Sequence, residues 1–312
     1  MIYPEAFITL QTELYLELHA ALPELPLLAE ELLSQHTSFR IGGPAEVFAQ
    51  PRSAEELAAL LRFAATHGVE PVLLGAGTNV VAPDDGLRGL VICTKGTLTG
   101  LRRCGETDLE AECGVTLAKL ASFARDLGLT GLEFAHGIPG TVGGGMYMNA
   151  GAYGGEMKQV AVQTEVLLPG GERAVLRGEE QALSYRHSAF MERQCIVLRT
   201  VFRLMPGNRE AISARMAELS QRRRSSQPLE LPSAGSFFKR PALPDHYAGA
   251  MIQQAGLKGF TVGGAQVSEK HAGFVVNIGG ATAADLRQLT AEVQRRVYAQ
   301  TGVMLEPEVR FL

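Results

Sequence analysis

The sequence is short of charge of either sign, of cysteine and of long apolar runs, and each shortage excludes a class of protein. Twenty-nine Lys and Arg stand against 33 Asp and Glu, a net charge of -4 with a pI near 6.0. That balance excludes a general electrostatic grip on nucleic acid or an anionic membrane and leaves any anion to a specific site. The four cysteines, Cys93, Cys104, Cys113 and Cys195, form no C-x-x-C pair, so neither a zinc ribbon nor a disulfide framework is indicated and no metal is expected. No uncharged run approaches the ~18 residues of a membrane span. The first 33 residues carry acidic side chains throughout and lack the basic start and apolar core of a signal peptide. These absences lead to the expectation of a soluble cytoplasmic protein, a monomer or weak oligomer. There is no internal repeat and no low-complexity tract.

What is present is glycine, 35 residues of it, in a chain that is 46% hydrophobic and 20% charged. Such a composition buries a proper core, and 312 residues exceed what one core comfortably holds, so two or three modules are expected. Apolar residues recur at helical spacing between Leu10 and Leu33, interrupted by Pro23 and Pro26, which predicts two helices in a lead-in over 1–34. Ser53 with Glu56 three residues on, followed by an amphipathic run to His67 and Gly68, predicts a capped helix. Strands are predicted at 71–74, 80–81, 87–94, 108–113, 160–168, 172–176 and 196–204, with a helix from Thr116 to about Leu127. Pro206-Gly207-Asn208 marks a boundary before a helix reaching about Arg224. Further on, the pattern predicts a loop over 227–236, an apolar segment over 248–255 and a strand pair around 273–278. A helix opened by Thr282 and Asp285 and a terminal strand over 305–312 complete it. The mixed pattern is α+β.

Two glycine clusters invite a chemical reading. Gly75-Ala76-Gly77-Thr78-Asn79, between two apolar segments, can turn consecutive backbone N–H groups toward an anion such as a diphosphate, because glycine allows tight conformations and places no Cβ in the way. It is equally a simple turn. No Gly-Lys-Ser/Thr follows, so it is not a P-loop. The run from Gly137 to Gly155, GIPGTVGGGMYMNAGAYGG, repeats the same logic at larger scale; little regular structure is expected there, and a close crossing of backbones is the alternative. Composition and spacing do not choose between these.

Seven strings supply a resemblance: TSFRIGGPAE (37–46), LGAGTNVV (74–81), GIPGTVGGGMYMNAGAYGG (137–155), SYRHSAF (184–190), PSAGSFFKRP (232–241), AQVSEKHAGFVVN (265–277) and LEPEVRF (305–311). In this order they resemble the UDP-N-acetylenolpyruvylglucosamine reductases. The resemblance implies non-covalent FAD in a two-part domain of the vanillyl-alcohol-oxidase (PCMH) type over 35–207, with subdomains 35–103 and 104–207. A smaller α+β substrate-binding domain is implied over 208–312. Absence of a G-x-G-x-x-G opening a βαβ unit agrees with a non-Rossmann flavin domain. The resemblance further implies NADPH as reductant and an enolpyruvyl UDP-sugar as substrate, with FAD held along Gly75–Asn79 and along Gly137, Ile138, Pro139, Gly140, Thr141 and Gly144.

The site residues carried by the resemblance suit the chemistry. Hydride added to an enolpyruvyl double bond builds enolate charge on the carboxylate, which needs hydrogen-bonding or cationic groups, and a proton must reach the adjacent carbon. Arg186 matches the carboxylate-binding arginine, whose planar fork fits better than lysine; a solvated arginine is the other reading. Ser236 matches the proton donor, competent only if pinned near the carbanion. Glu308 matches the catalytic glutamate, with a raised pKa expected; residue type alone does not separate it from Glu306. Arg310 is expected to orient Glu308 or the substrate. Tyr153 and Asn149 are candidates for the sugar pocket. Lys239, Arg240, Arg222, Arg223, Arg224 and Lys270 are candidates for the diphosphate, the Arg triplet equally reading as a solvated helix end. His136 is expected as an ordinary neighbour of the second loop rather than a covalent flavin tether, and His187 and His271 as hydrogen-bonding partners. The stretch between 190 and 233 is too short for the tyrosine-bearing loop found in one branch of the family. An FAD-dependent oxidase of the same superfold and a redox-inactive nucleotide-sugar sensor are the competing readings.

Overall fold

The computed structural model describes residues 12–243 and 246–312. Its first sheet has four strands in the order Leu27–Leu32, Pro44–Ala49, Leu87–Cys93, Val72–Leu74, the first pair antiparallel and the others parallel. Period-two alternation splits its side chains: Val47, Ala49, Leu90 and Ile92 enter the largest core, whereas Phe48, Val91 and Cys93 face a smaller one with Leu33 and Leu74. The helix Ala54–His67 covers the first face with Leu57, Leu60 and Leu61. Local chemistry sets its ends, since Ser53 Oγ accepts the Glu56 N–H at 3.1 Å and Gly68 closes it at φ +65°.

A second, wholly antiparallel sheet runs Arg173–Arg177, Ala161–Leu167, Ile196–Arg203, Asp108–Glu112, Leu101–Arg103. The helix Leu117–Asp126, capped by Thr116, shares its core, and Arg209–Ser226 packs against that helix with Ile212 and Met216 in the same core. The third unit is a three-stranded antiparallel sheet, Thr261–Val262, Ala265–Val267 and Val275–Asn277, packed with the helices Ala248–Gln254 and Ala283–Thr301. Thr282 and Asp285 form the expected capping box of the last helix.

Several expectations change. After Pro26 the chain is a strand, not a second helix; Leu27–Leu32 is only six residues, and the ladder to Pro44–Ala49 satisfies its backbone better than a marginal helix would. The start of the first predicted helix lies outside the described residues, and the described helix is Glu13–Ala21. Leu27–Leu32 thus belongs to the first sheet rather than to a separate lead-in, and Leu101–Arg103 to the second sheet rather than the first. Helix Arg209–Ser226 joins the core of the second sheet, although the Pro206-Gly207-Asn208 punctuation groups it with the C-terminal unit. Within the second glycine cluster, Val142–Tyr147 is a short helix. Packing overrides propensity there: a Cβ on Gly143 would stand 3.0 Å from Cys113 Cβ, and one on Gly145 3.2 Å from Leu117. The crossing of backbones and an open loop therefore coexist in one cluster.

Two segments stitch the third unit to the first. Phe39 and Ile41 enter the C-terminal core, and the terminal strand Arg310–Phe311 pairs parallel with Val80–Val81.

Candidate active site

The junction of the units is a cleft of about 1100 Å³. Its walls bring together Gly75 to Asn79, Ile138 to Thr141, Gly144, Tyr153, Arg186, Ser236, Glu308 and Arg310. Gly137 stands just behind: a Cβ there would come within 3.4 Å of the Arg223 side chain.

The first glycine loop leaves the strand Val72–Leu74 and enters Val80–Val81. None of its five N–H groups, from Gly75 to Asn79, donates to a protein acceptor among the described residues. Gly77 sits at φ +64°, with its carbonyl accepting the Ser38 N–H at 2.9 Å. A Cβ at Gly77 would fall 2.0 Å from the His36 carbonyl oxygen, and one at Gly75 would fall 2.9 Å from Thr141 Oγ1. The second loop lies against the first, since Thr78 Oγ donates to the Pro139 carbonyl at 2.8 Å. The N–H groups of Gly140 and Thr141 are likewise without protein acceptors among the described residues, and Thr141 Oγ1 is buried with no hydrogen-bond partner. A buried orphan hydroxyl beside seven free backbone donors is the signature of a polar guest, because leaving such groups unpaired is costly. A dinucleotide diphosphate fits that cradle.

The opposite wall is built from side chains. The segment around Ser236 to Lys239 runs between two others: Phe237 N–H donates to Gly273 O, Glu308 N–H to Phe237 O and Lys239 N–H to Glu306 O, each at 2.8 Å. That ladder sets Ser236 and Glu308 on neighbouring extended segments. Ser236 is solvent-facing and its hydroxyl has no protein partner among the described residues, so it is free for a ligand. Glu308 Oε1 accepts from Arg186 Nε at 2.5 Å, with the two side chains only 11% and 19% exposed. Burial pushes the Glu308 carboxyl above its ordinary range; Arg186, and more weakly Lys239, pull against that without cancelling it. Asn79 Nδ2 donates to the Glu308 carbonyl at 3.2 Å and Arg310 N–H to the Asn79 carbonyl at 3.0 Å. The first glycine loop and the segment bearing Glu308 are therefore one hydrogen-bonded unit. Arg310 Nη1 in turn donates to Tyr147 Oη at 2.7 Å.

The geometry separates candidates that sequence left level. Glu306 is 69% exposed and paired with Lys239 outside the cleft, so of the two only Glu308 lines it. Lys239 and Arg240 do not line the cleft; the Arg240 guanidinium lies 4.3 Å from the Tyr247 ring and the Arg240 backbone N–H donates to Tyr185 Oη. Of the Arg triplet, Arg223 alone lines the cleft, half-buried, its pKa drawn down by burial. Arg222 lies over the Tyr153 ring at 5.2 Å, and Lys270 donates to the Arg224 carbonyl. Asn149 is 1% exposed and does not reach the cleft, contrary to its reading as a sugar-pocket residue. His136 contacts Ser220, His187 pairs with Glu192, and His271 Nδ1 accepts the Gly273 N–H; none of the three lines the cleft. Gln227 lines it and was not anticipated; its Oε1 is buried without a partner. Nothing in residue type marks it. No cluster of three metal-ligating side chains occurs among the described residues, and no helix among them is long and apolar enough to cross a membrane.

Comparison with known proteins supplies the family. The sequence model of the FAD binding domain family matches residues 45–177, the segment that carries both glycine loops. Fold and family match together define a flavoprotein with a two-part FAD-binding region followed by a smaller α+β unit. Residues 227–312 match the model described as UDP-N-acetylenolpyruvoylglucosamine reductase, C-terminal domain. The reductase of that name from Caldanaerobacter subterraneus subsp. tengcongensis is 45% identical over 298 residues, 95% of this chain and 97% of that protein. The one from Agathobacter rectalis is 46% identical over 305 residues, 93% and 95% of the two chains. The crystal structure of the Thermus caldophilus reductase aligns with a TM-score of 0.77 at 33% identity, covering 92% of this chain and 98% of that one. The chain belongs to the UDP-N-acetylenolpyruvoylglucosamine reductase family and is a flavin-dependent oxidoreductase.

Proposed function

We propose that the protein reduces the enolpyruvyl ether of UDP-N-acetylglucosamine to the lactyl ether of UDP-N-acetylmuramate, using NADPH and FAD, as a cytoplasmic step of peptidoglycan precursor synthesis. The observation that carries this reading is the convergence of Arg186, Ser236 and Glu308 on the cleft that also holds both glycine loops. The chemistry supplied by FAD is hydride transfer in two halves, from NADPH to the flavin and from the flavin to the alkene carbon remote from the carboxylate.

The chain's own residues do the rest. The free N–H groups of Gly75–Asn79, Gly140 and Thr141, with the Thr141 hydroxyl, hold the cofactor. Arg186 binds the substrate carboxylate and offsets its developing charge. Glu308, whose pKa burial raises against the pull of Arg186, donates a hydrogen bond to the enolate in its protonated form. Ser236 Oγ delivers its proton to the carbon bearing the carboxylate, so that hydride and proton together saturate the double bond. Arg310, tied to Tyr147, positions the Glu308 strand. Arg223 is the cation we assign to the nucleotide-sugar diphosphate: it has no acidic partner among the described residues, and an incoming anion relieves a buried guanidinium. Tyr153, 36% exposed in the cleft wall, is assigned to the sugar.

The test is anaerobic and spectroscopic. Stoichiometric bound flavin should be bleached by NADPH and its absorbance restored by enolpyruvyl-UDP-N-acetylglucosamine. Fully loaded enzyme that ignores the enolpyruvyl substrate and is reoxidised only by air would point instead to an oxidase.

A further inference from the structure

Arg186 reaches Glu308 from a strained piece of backbone. It is the third residue of the four-residue turn Ser184–His187, whose ends exchange hydrogen bonds: Ser184 N–H to His187 O at 3.1 Å and His187 N–H to Ser184 O at 3.2 Å. Its φ is +55°, a left-handed conformation disfavoured for a side chain with a Cβ. Strain of this kind persists only where the surroundings over-determine the backbone.

Two buried side chains do so, and both act between the turn and the C-terminal end of the short glycine-rich helix, one at its last residue and one two residues beyond. Ser188, 0% exposed, donates from Oγ to the Tyr147 carbonyl at 2.7 Å. Asn149, 1% exposed, donates from Nδ2 to the Ser184 carbonyl at 3.0 Å and to Glu156 Oε2 at 2.8 Å, while its Oδ1 accepts the Lys158 N–H at 2.9 Å. Asn149 is itself at φ +42°, which asparagine tolerates better than most residues. One end of the turn is thus held at Ser184 and the residue beyond the other end at Ser188. The grip comes from 147–149, which also carries the Tyr147 hydroxyl that receives Arg310. Neither Asn149 nor Ser188 touches the cleft.

We propose that Asn149 and Ser188 are positioning residues that lock the Ser184–His187 turn and so fix the direction in which Arg186 presents its guanidinium to the substrate carboxylate. The proposal rests on the assignment of Arg186 to that carboxylate. A planar fork gains its advantage only when aimed. Removing either donor takes away a part-buried hydrogen bond: the Ser184 carbonyl keeps only its partner within the turn, the His187 N–H, and the Tyr147 carbonyl loses the Ser188 hydroxyl.

The full flavin-loaded chain carries the test, with the two half-reactions measured separately in Ser188→Ala and Asn149→Asp. The aspartate keeps the shape and the acceptor for Lys158 N–H but no longer donates to Ser184 or Glu156, and Ser188→Ala tests the clamp without disturbing Glu156. Flavin reduction by NADPH should stay within about twofold, whereas the enolpyruvyl substrate concentration giving half-maximal reoxidation should rise roughly tenfold, the scale of one lost hydrogen bond. Arg186→Ala, measured alongside, should also impair reoxidation, and adding Ser188→Ala to it should cost nothing more if the clamp acts through that arginine. Wild-type reoxidation in both clamp variants, a further loss in the double variant, or an equal fall in both half-reactions overturns the clamp. Wild-type reoxidation in Arg186→Ala overturns instead the assignment on which it rests.

Discussion

The two walls of the cleft prepare for negative charge by different means. The first glycine loop, Gly75 to Asn79, carries no charged side chain and offers backbone N–H groups. The facing wall offers side chains: Arg186 and Glu308 in a buried pair, Arg310 behind them, and the free hydroxyl of Ser236. Backbone donors have no pKa to shift and no side chain to delete; only a Cβ in the wrong place disturbs them. Side chains are removable one atom at a time. Substitutions on the glycine wall should therefore change how much flavin is bound, and substitutions on the other should change what the bound flavin can reduce.

The largest effect is expected from Gly77→Ala. The new Cβ would have to share space with the His36 carbonyl oxygen, 2.0 Å away, and alanine at φ +64° adds roughly 1–2 kcal/mol of its own strain. The loop must shift, carrying the free N–H groups off their guest and breaking the Ser38 to Gly77 hydrogen bond. Purified Gly77→Ala should hold less than about a tenth of the wild-type flavin by visible absorbance. A variant that remains fully yellow would show that the first loop is a turn and nothing more.

This contrast also explains what is legible in the sequence. Elements whose ends are set by their own residues are readable: Ser53 and Gly68 bracket one helix, and Thr282 with Asp285 opens another. The glycine loops are visible as places without ordinary structure, because glycine's freedom is itself a local property. Resemblance is needed to name their guest. What stays hidden depends on partners far along the chain. Leu27–Leu32 is a strand because Pro44–Ala49 lies beside it, and Glu308 differs from Glu306 only because Arg186, 122 residues away, meets one and not the other. Asn149 stands out in sequence only for its place in a glycine-rich string, which suggests the sugar pocket; its three hydrogen bonds to 156, 158 and 184 assign it to the scaffold. Arg223 reads as one of three equivalent helix-end cations until the fold turns it alone inward.

Ser236→Ala sharpens the comparison from the side-chain wall. The serine lies outside the glycine cradle and its hydroxyl holds no structural hydrogen bond among the described residues, so flavin content and reduction by NADPH should be near wild type. Reoxidation by the enolpyruvyl substrate should slow by ~10²-fold or more, the usual cost of deleting a proton donor. An equal slowing of both half-reactions would place Ser236 in cofactor binding and blur the division between the walls.

The smallest effect concerns Glu308 and pH. Burial raises its pKa in the folded protein, so the neutral form is favoured by folding. The associated stability is fully present below the unfolded-state pKa and is lost as pH rises through the higher folded-state value, because the folded chain must then bury a charge that Arg186 only partly offsets. Glu308→Gln keeps an acceptor for Arg186 and cannot ionise. Its melting temperature relative to wild type should therefore climb as pH rises through that interval and then level off. Reoxidation in wild type should weaken over the same interval, as the hydrogen-bond donor to the enolate is lost, whereas the lower activity of the Gln variant should be flat across it. A melting-temperature difference that does not change with pH would mean that Arg186 balances the burial of Glu308, leaving the carboxylate ionised and unable to donate to the enolate.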